Sequence, residues 1–369
     1  MPRIASHVDL RYTTRQPTGV DKHIARLVRG LAARPGFDVS VVAPRQQLDG
    51  SGAIPLGSSL AGLPVEPLPL SNRAARILWA VSPWPPIDRF CPRADWVYSP
   101  QELWAPTARA RTAVTIHGIT WFERTLPGRD SAWARFERAR LAWFFRQICR
   151  HADLVLSVSR HVESFLVAEF GLAPGKSLVI GNGIDDCFYS AGDAPGPPDL
   201  NRILVVGGLN DWDGAAHVLA VADLLARELP EISIDVAGTL DEPRYVAAAA
   251  ARGNIQTLGY VATETLASRM PGYLALLYLP NVESFGLAAV EAMAAGQPVI
   301  ACRLTAVPEV VGDAALAVDA RAPSEVVAAI RLLRSNPAVR ESWVARGRGR
   351  AVRYTWPACV TRLAERMVA

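Results

Sequence analysis

The chain has 369 residues, half of them hydrophobic and a fifth charged, which predicts two domains with sizeable cores and excludes disorder as the dominant state. A net charge of +4, from 39 basic against 35 acidic residues, is too small an excess for a nucleic-acid-binding surface. The five cysteines are scattered without a C-x-x-C pair and the six histidines lack metal-ligand spacing, so the sequence predicts reduced thiols in a cytoplasmic protein and no metal.

Met1 to Leu10 has no apolar signal-peptide stretch, and no apolar run reaches the ~18 residues of a membrane span. Thr18 reads as the cap of a helix whose apolar face is Val20, Ile24, Leu27, Val28 and Leu31. Strands are predicted at Val39–Ala43, Trp96–Ser99, Ala113–His117, Leu154–Ser157 and Leu178–Ile180, with helices near Ser131–Arg150 and Arg160–Phe170. The Pro- and Gly-rich stretch Leu48–Pro92 offers no convincing long element. Ser190–Asp199, with Gly192, Pro195, Gly196, Pro197 and Pro198, reads as a linker. A second series of alternating elements follows: strands at Ile203–Val206, Ser233–Ala237, Ile255–Leu258, Leu274–Leu279 and Pro298–Ala301, an amphipathic helix at Ala215–Leu229, and closing helices from Pro323. Alternation of this kind predicts parallel sheets.

Gly118, Gly181, Gly183, Gly207, Gly208, Gly238 and Pro280 sit at the carboxyl ends of apolar runs, the edge at which open parallel sheets bind ligands. Glycine also simply ends strands, so each position taken singly carries little. The segment from Pro280 to Val299 carries more. A buried strand ends at Pro280, and a helix is predicted from near Phe285–Gly286 to near Gly296, with Glu283 just before it and Glu291 inside it. A helix N-terminus suits an anionic phosphate, and Gly286 lets a ligand approach the backbone. A fully helical interval of eight residues would separate the two carboxylates by ~12 Å, enough to bracket a diphosphate. The plainer alternative is an acidic pair that merely favours the helix dipole.

The segment from Glu283 to Val299 resembles the E-x7-E signature of the retaining GT-B glycosyltransferases of family 4, also called group 1. Further motifs agree in order: Asp9-Leu-Arg11 and Thr18-Gly19-Val20, similar to a mannosyltransferase-like subgroup; Thr115-Ile-His117-Gly118; Ala152-Asp153 through Ser159; Val179-Ile-Gly-Asn182-Gly183-Ile-Asp185; Leu258–Val261; Pro308–Gly312; and Tyr354-Thr-Trp356. The resemblance spans almost the whole chain. It implies two Rossmann-like domains facing each other across a deep cleft: residues 1–188 for the acceptor and 189–354 for the nucleotide-sugar donor, with a closing helix, 355–369, crossing back to the first. It also implies transfer of a sugar from a nucleoside diphosphate to a hydroxyl acceptor with retention of configuration, without cofactor or metal. By the same resemblance, Glu283 contacts donor-sugar hydroxyls and Glu291 the ribose hydroxyls. The Phe285, Gly286 and Leu287 amides meet the distal phosphate. His117 reaches the donor sugar, and Gly19, Gly207 and Gly208 lie near the nucleotide. Arg11, Tyr12 and Thr18 fall on the acceptor side, in a loop that includes Arg11–Pro17.

The sequence departs from the family pattern at one place. Gly208 stands where an Arg is expected and Asp213 where a Lys is expected, the two cations that stabilise the departing diphosphate. Three readings stay open: another arginine substitutes, with Arg303 leading over Arg202 and Arg11; the donor is unusual; or the chain is a weak or inactive relative serving as a binding or partner subunit. A phosphorylase of similar architecture using pyridoxal phosphate is discounted, because it needs a lysine in the second domain and no lysine lies beyond Lys176. Finally, Trp133, Phe136, Trp143, Phe144 and Phe145 alternate with Arg135, Arg138, Arg140, Arg146 and Arg150. That helix either faces anionic lipid at the inner membrane surface, as for lipid-linked acceptors, or packs in the core with a solvated arginine face.

Overall fold

The computed structural model describes residues 1–13, 18–123, 131–193 and 196–369, with Val81 described by its backbone alone. Thr14–Pro17 of the first loop and Pro195 of the expected linker therefore lie outside the described residues. Two compact units divide the chain. The first holds Met1–Ile119, Ala132–Gly183 and Trp356–Ala369; the second holds Ile184–Thr355 with the described residues of Thr120–Ser131. The division falls at Gly183 rather than at 188, because Ile184 bridges in parallel to Thr355 and donates its N–H to Tyr354 O at 2.9 Å.

In the first unit the elements run β1 (Arg3–His7), α1 (Gly19–Ala32), β2 (Asp38–Pro44), β3 (Val65–Leu68), α2 (Asn72–Val81), β4 (Trp96–Ser99), β5 (Arg111–Ile116), α3 (Ala132–His151), β6 (Leu154–Ser157), α4 (Arg160–Phe170) and β7 (Ser177–Val179). All seven strands are parallel, in the order β3-β2-β1-β4-β5-β6-β7. The second unit runs α5 (Asp186–Asp193), β8 (Asp199–Gly208), α6 (Ala215–Glu228), β9 (Ser233–Thr239), α7 (Pro243–Ala250), β10 (Ile255–Gly259), α8 (Thr263–Arg269), β11 (Tyr273–Tyr278), α9 (Leu287–Ala294), β12 (Val299–Cys302), α10 (Val307–Val311), β13 (Leu316–Val318), α11 (Pro323–Ser335) and α12 (Pro337–Ala351). Its six strands are again parallel, in the order β10-β9-β8-β11-β12-β13. Helices cover both faces of such a sheet, so central strands read as unbroken apolar runs. In β6 and β11 every residue is buried.

The last helix, α13 (Trp356–Val368), returns to the first unit. Its buried face, Trp356, Cys359, Val360, Leu363, Ala364 and Met367, repeats every three or four residues and joins the core of Ile24, Leu27, Val28 and Leu31 on α1. The Trp96 indole donates to Met367 O at 3.0 Å and fixes the end of this helix.

Two expectations change, and one strand was not anticipated. Arg3–His7, which carries no strand signal beyond Ile4 and Ala5, is the interior strand β1, between β2 and β4, with Ser6 and His7 buried. Leu48–Pro92 contains β3 and the ten-residue α2, both too short for a periodicity argument. The expected linker is shorter than Ser190–Asp199: α5 runs through Asp193 and β8 starts at Asp199, earlier than Ile203. Proline and glycine there punctuate the elements.

Candidate active site

The strand order reverses between β8 and β11 in the second unit, and a doubly wound sheet opens a crevice outside the carboxyl ends at such a point. Gly207-Gly208 ends β8 on one side, and the loop 279–286 leaves β11 on the other. Glu283 is held there by its own surroundings. Its Oε1 accepts the Ser284 and Phe285 N–H groups at 2.8 and 3.1 Å, and its Oε2 accepts the Tyr278 hydroxyl. Its N–H donates to Thr305 Oγ1 at 3.1 Å. Thr305 has φ +53°, a conformation that costs a non-glycine residue energy and that is found at functional sites. Burial, then the facing Glu283 carboxylate, raises the Tyr278 phenol well above its ordinary pKa, so it stays a donor.

Gly286, with φ +100°, caps α9 without a side-chain hydrogen bond. The α9 N-terminus therefore presents first-turn amides and a partial positive charge. The Phe285 amide is already taken by Glu283, which leaves the Gly286 and Leu287 amides of the three expected at the phosphate. Phe285 itself is buried, its ring edge-on to Tyr354 at 5.5 Å. Glu291 sits on the second turn of α9 and is only 6% exposed. Because α9 begins at Leu287, the interval from Glu283 to Glu291 is half loop and half helix, not one continuous rise.

The loop after β8 explains the departure from the family pattern. Gly208 has φ +141°, and a Cβ there would lie 2.4 Å from Thr239 O; an arginine cannot stand at this position without moving β9. A Cβ on Gly207 would meet the Asp213 carboxylate at 2.8 Å. Asp213 is half-buried and closes a turn with Asn210, whose amide donates to Oδ2 at 2.6 Å and whose Oδ1 accepts the Asp213 N–H at 2.8 Å. Burial, reinforced by the charges of Glu283 and Asp241, pushes its pKa up to about 6 against the pull of Asn210. Arg244, after β9, ties this loop down. Its guanidinium holds Asp211 at 2.5 Å and Glu242 at 2.7 Å, while Tyr245 donates to Asp211 at 2.6 Å.

None of the three arginines expected to replace the missing cations is held at this crevice. Arg303 follows β12 at the expected edge but is exposed, with its guanidinium on Glu325 at 2.5 Å and Ala317 O at 2.7 Å, where it staples β12 to the start of α11. Arg202 pairs with Asp235 and lies over the Tyr273 ring near the amino ends of the strands. Arg11 belongs to the first unit and is clamped to Asp9 at 2.5 Å. Against its burial, hydrogen bonds from Arg11 and Gln47 hold the Asp9 pKa down to about 2.

In the first unit, His117 follows β5. Its N–H donates to Glu102 at 2.6 Å and its Nε2 faces Pro100 O at 2.8 Å, so that nitrogen carries the proton. Its ring meets His23 edge-on at 4.6 Å. His23 lies on α1, fully buried, with Nδ1 at 2.7 Å from Asn182 Oδ1; burial, then the neighbouring His117, lowers its pKa well below the usual histidine value. Gly183, next to Asn182, admits the closing helix: a Cβ there would come 2.3 Å from Trp356 N. Thr18 forms a capping box with Asp21 and Gly19 opens α1, so these two shape the helix start; Tyr12 packs against the core. His23, Asn182, Glu102, Tyr278, Thr305 and Asn210 all support expected residues and were missed. Of these, His23 left a signal as a polar residue on an apolar helix face, and Asn182 stood in a motif without being given a role.

Helix α3 is neither of the pure alternatives. Ala134, Phe145, Ile148 and Cys149 are buried, whereas Trp133 and Phe136 are 64% and 63% exposed. Arg140 pairs with Glu137 at 2.6 Å, and Arg146 lies over the Phe170 ring.

Comparison with known proteins identifies the family. The family model for Glycosyltransferase Family 4 matches residues 17–187, and that for Glycosyl transferases group 1 matches residues 193–350. The chain is 27% identical to a phosphatidyl-myo-inositol mannosyltransferase of Mycolicibacterium smegmatis, over 94% of this chain and 88% of the relative. It is 26% identical to the O-antigen chain mannosyltransferase B of Escherichia coli, over 72% of each. Among solved structures, Anabaena HepE in complex with UDP and glucose superposes with a TM-score of 0.71 at 18% identity, covering 99% of both chains. The chain therefore belongs to the group 1, family 4 glycosyltransferases, a mannosyltransferase-like enzyme with the two-domain α/β fold of the GT-B type.

Proposed function

We propose that this glycosyltransferase moves a sugar from a nucleoside diphosphate to a hydroxyl acceptor with retention of anomeric configuration, by attack on the face that the diphosphate leaves. The observation that carries the reading is the uncapped N-terminus of α9 at the switch point, with Glu283 before it and a buried Glu291 within it. The Gly286 and Leu287 amides and the helix dipole take the charge that develops on the leaving diphosphate. They thereby substitute for the side-chain cations that the Gly207-Gly208 loop has no room to carry. Glu291 accepts the ribose hydroxyls. Glu283, oriented by Tyr278 and Thr305, accepts donor-sugar hydroxyls; His117, oriented by Pro100 and Glu102, is assigned to the same sugar.

A lipid-linked acceptor is supported by the exposed Trp133 and Phe136 among arginines, a composition suited to an anionic lipid surface. It also fits the relative named for phosphatidyl-myo-inositol. The experiment is a nuclear magnetic resonance assay of the purified chain with a panel of nucleoside diphosphate hexoses and vesicles bearing a hydroxyl acceptor. Retention appears as the same anomeric coupling in donor and product. An inverted product would reject the same-face path, and Glu283→Gln with undiminished turnover would reject the role given to Glu283.

A further inference from the structure

A cavity of about 440 Å³ opens in the first unit between the ends of α2 and α3 and the segment after β4, within the ~300–1,000 Å³ range of small-molecule sites. It is not the site described above. Thr112, at the start of β5, lines it, whereas His117 follows the end of the same strand, about 16 Å further on at the strand rise.

Three tryptophans form its walls. Trp79 is buried, and its indole N–H is committed to Pro85 O at 2.9 Å, so it offers the cavity only its apolar ring. Trp104 is half-buried and packs against the His151 ring at 5.7 Å. Trp143 is 38% exposed. Thr107, Gln147 and His151 line it as well, and their side chains make no hydrogen bond among the described residues. None of the lining residues is an Asp, Glu, Lys or Arg. Partial burial, then the nearby Arg150 and Lys176, lowers the His151 pKa and favours its neutral ring.

A neutral pocket of flat aromatic faces and hydroxyl, amide and imidazole groups does not suit a phosphate, a carboxylate or a nucleotide. It matches a ring that is apolar on its faces and hydroxylated around its edge. The axial C–H bonds of a pyranose meet the negative face of an indole, and its equatorial hydroxyls find donors and acceptors on Thr107, Gln147 and His151. We propose that this cavity is a second, non-catalytic carbohydrate site that holds one neutral pyranose of a glycan away from the reacting centre. The glycan is either free or the headgroup of a glycolipid, because Trp133, Phe136, Trp143 and Gln147, spaced three, seven and four residues apart, lie on one face of α3.

The test needs no transfer reaction and so stands apart from the proposed function. Saturation-transfer resonance is recorded on the full chain with methyl α-mannoside, methyl α-glucoside and their trisaccharides. Calorimetry with a nucleoside diphosphate is run in parallel, and vesicles with and without a glycolipid distinguish the two sources. The proposal expects saturation transfer from aromatic protons to at least one pyranoside, and a roughly tenfold weaker affinity in Trp143→Ala and in Gln147→Leu. Nucleoside diphosphate affinity and melting temperature stay unchanged. Trp143 is surface-accessible, so its truncation leaves the core intact; Trp104→Phe, which keeps a ring, should weaken binding less than Trp143→Ala. No transfer to any pyranoside, transfer that survives both variants, or displacement of the sugar by single-chain octyl phosphocholine would overturn the assignment.

Discussion

Replacing Asp213 by Asn isolates the electrostatic cost of placing an acid where the family places a lysine. The folded protein keeps the Asp213 proton up to about pH 6, whereas an unfolded chain releases it near 3.8. Between those values the folded state binds more protons, so stability falls as pH rises, and above pH 6 the full cost is present. A gap of about two pH units is worth about 3 kcal/mol. Asparagine carries no such cost and keeps an oxygen to accept the Asn210 amide. For a unit of this size, ~3 kcal/mol corresponds to a rise of ~6–12 °C in the melting temperature of the second unit. Scanning fluorimetry of wild type and Asp213→Asn from pH 4 to pH 8 reads this directly. The two proteins should melt together near pH 4, diverge through pH 5–6, and stay apart above pH 7, with the variant more stable. Because Glu283 contributes to the shift, Glu283→Gln should narrow the divergence. A pH-independent difference, or a wild type more stable than the variant at pH 8, would refute the reasoning.

Three further outcomes are expected. Gly208→Ala places a Cβ 2.4 Å from Thr239 O at φ +141° and should destabilise the second unit by about 2–4 kcal/mol, measured as a fall in its melting temperature. Arg303→Ala should leave kcat/KM almost unchanged, because its guanidinium is committed to Glu325 and Ala317; a loss near 100-fold would return it to the diphosphate. Glu291→Gln keeps the side-chain volume but removes the charge that strengthens two hydroxyl hydrogen bonds, so calorimetry should show nucleoside diphosphate affinity reduced roughly tenfold with the melting temperature preserved.

Glu283, Gly286 and Glu291 were legible because their spacing is local: a strand end, a turn and a helix within a dozen residues fix their positions relative to one another. The strands with unbroken apolar runs were legible for the same reason, since burial on both faces writes itself into consecutive residues. The interior strand β1 was not, because Ser6 and His7 are buried without an apolar pattern of their own.

Position alone made Arg303 the leading cation, and its edge of the sheet is as expected. Which way its side chain turns is decided by Glu325, 22 residues later, and no local pattern encodes that pairing. Gly208 is the converse case. Read as a sequence, it is a missing arginine; in the fold it ends a strand paired in parallel with its neighbour, where Thr239 O lies too close for any side chain. The sequence by itself determined the family, the two parallel sheets and the acidic pair around one helix, because short-range periodicity and spacing carry them. The orientation of His117 by His23, Pro100 and Glu102, the raised pKa of Asp213 and the tryptophan-lined cavity were decided only by tertiary structure. Each depends on residues brought together from distant parts of the chain, where burial and through-space charge set the chemistry.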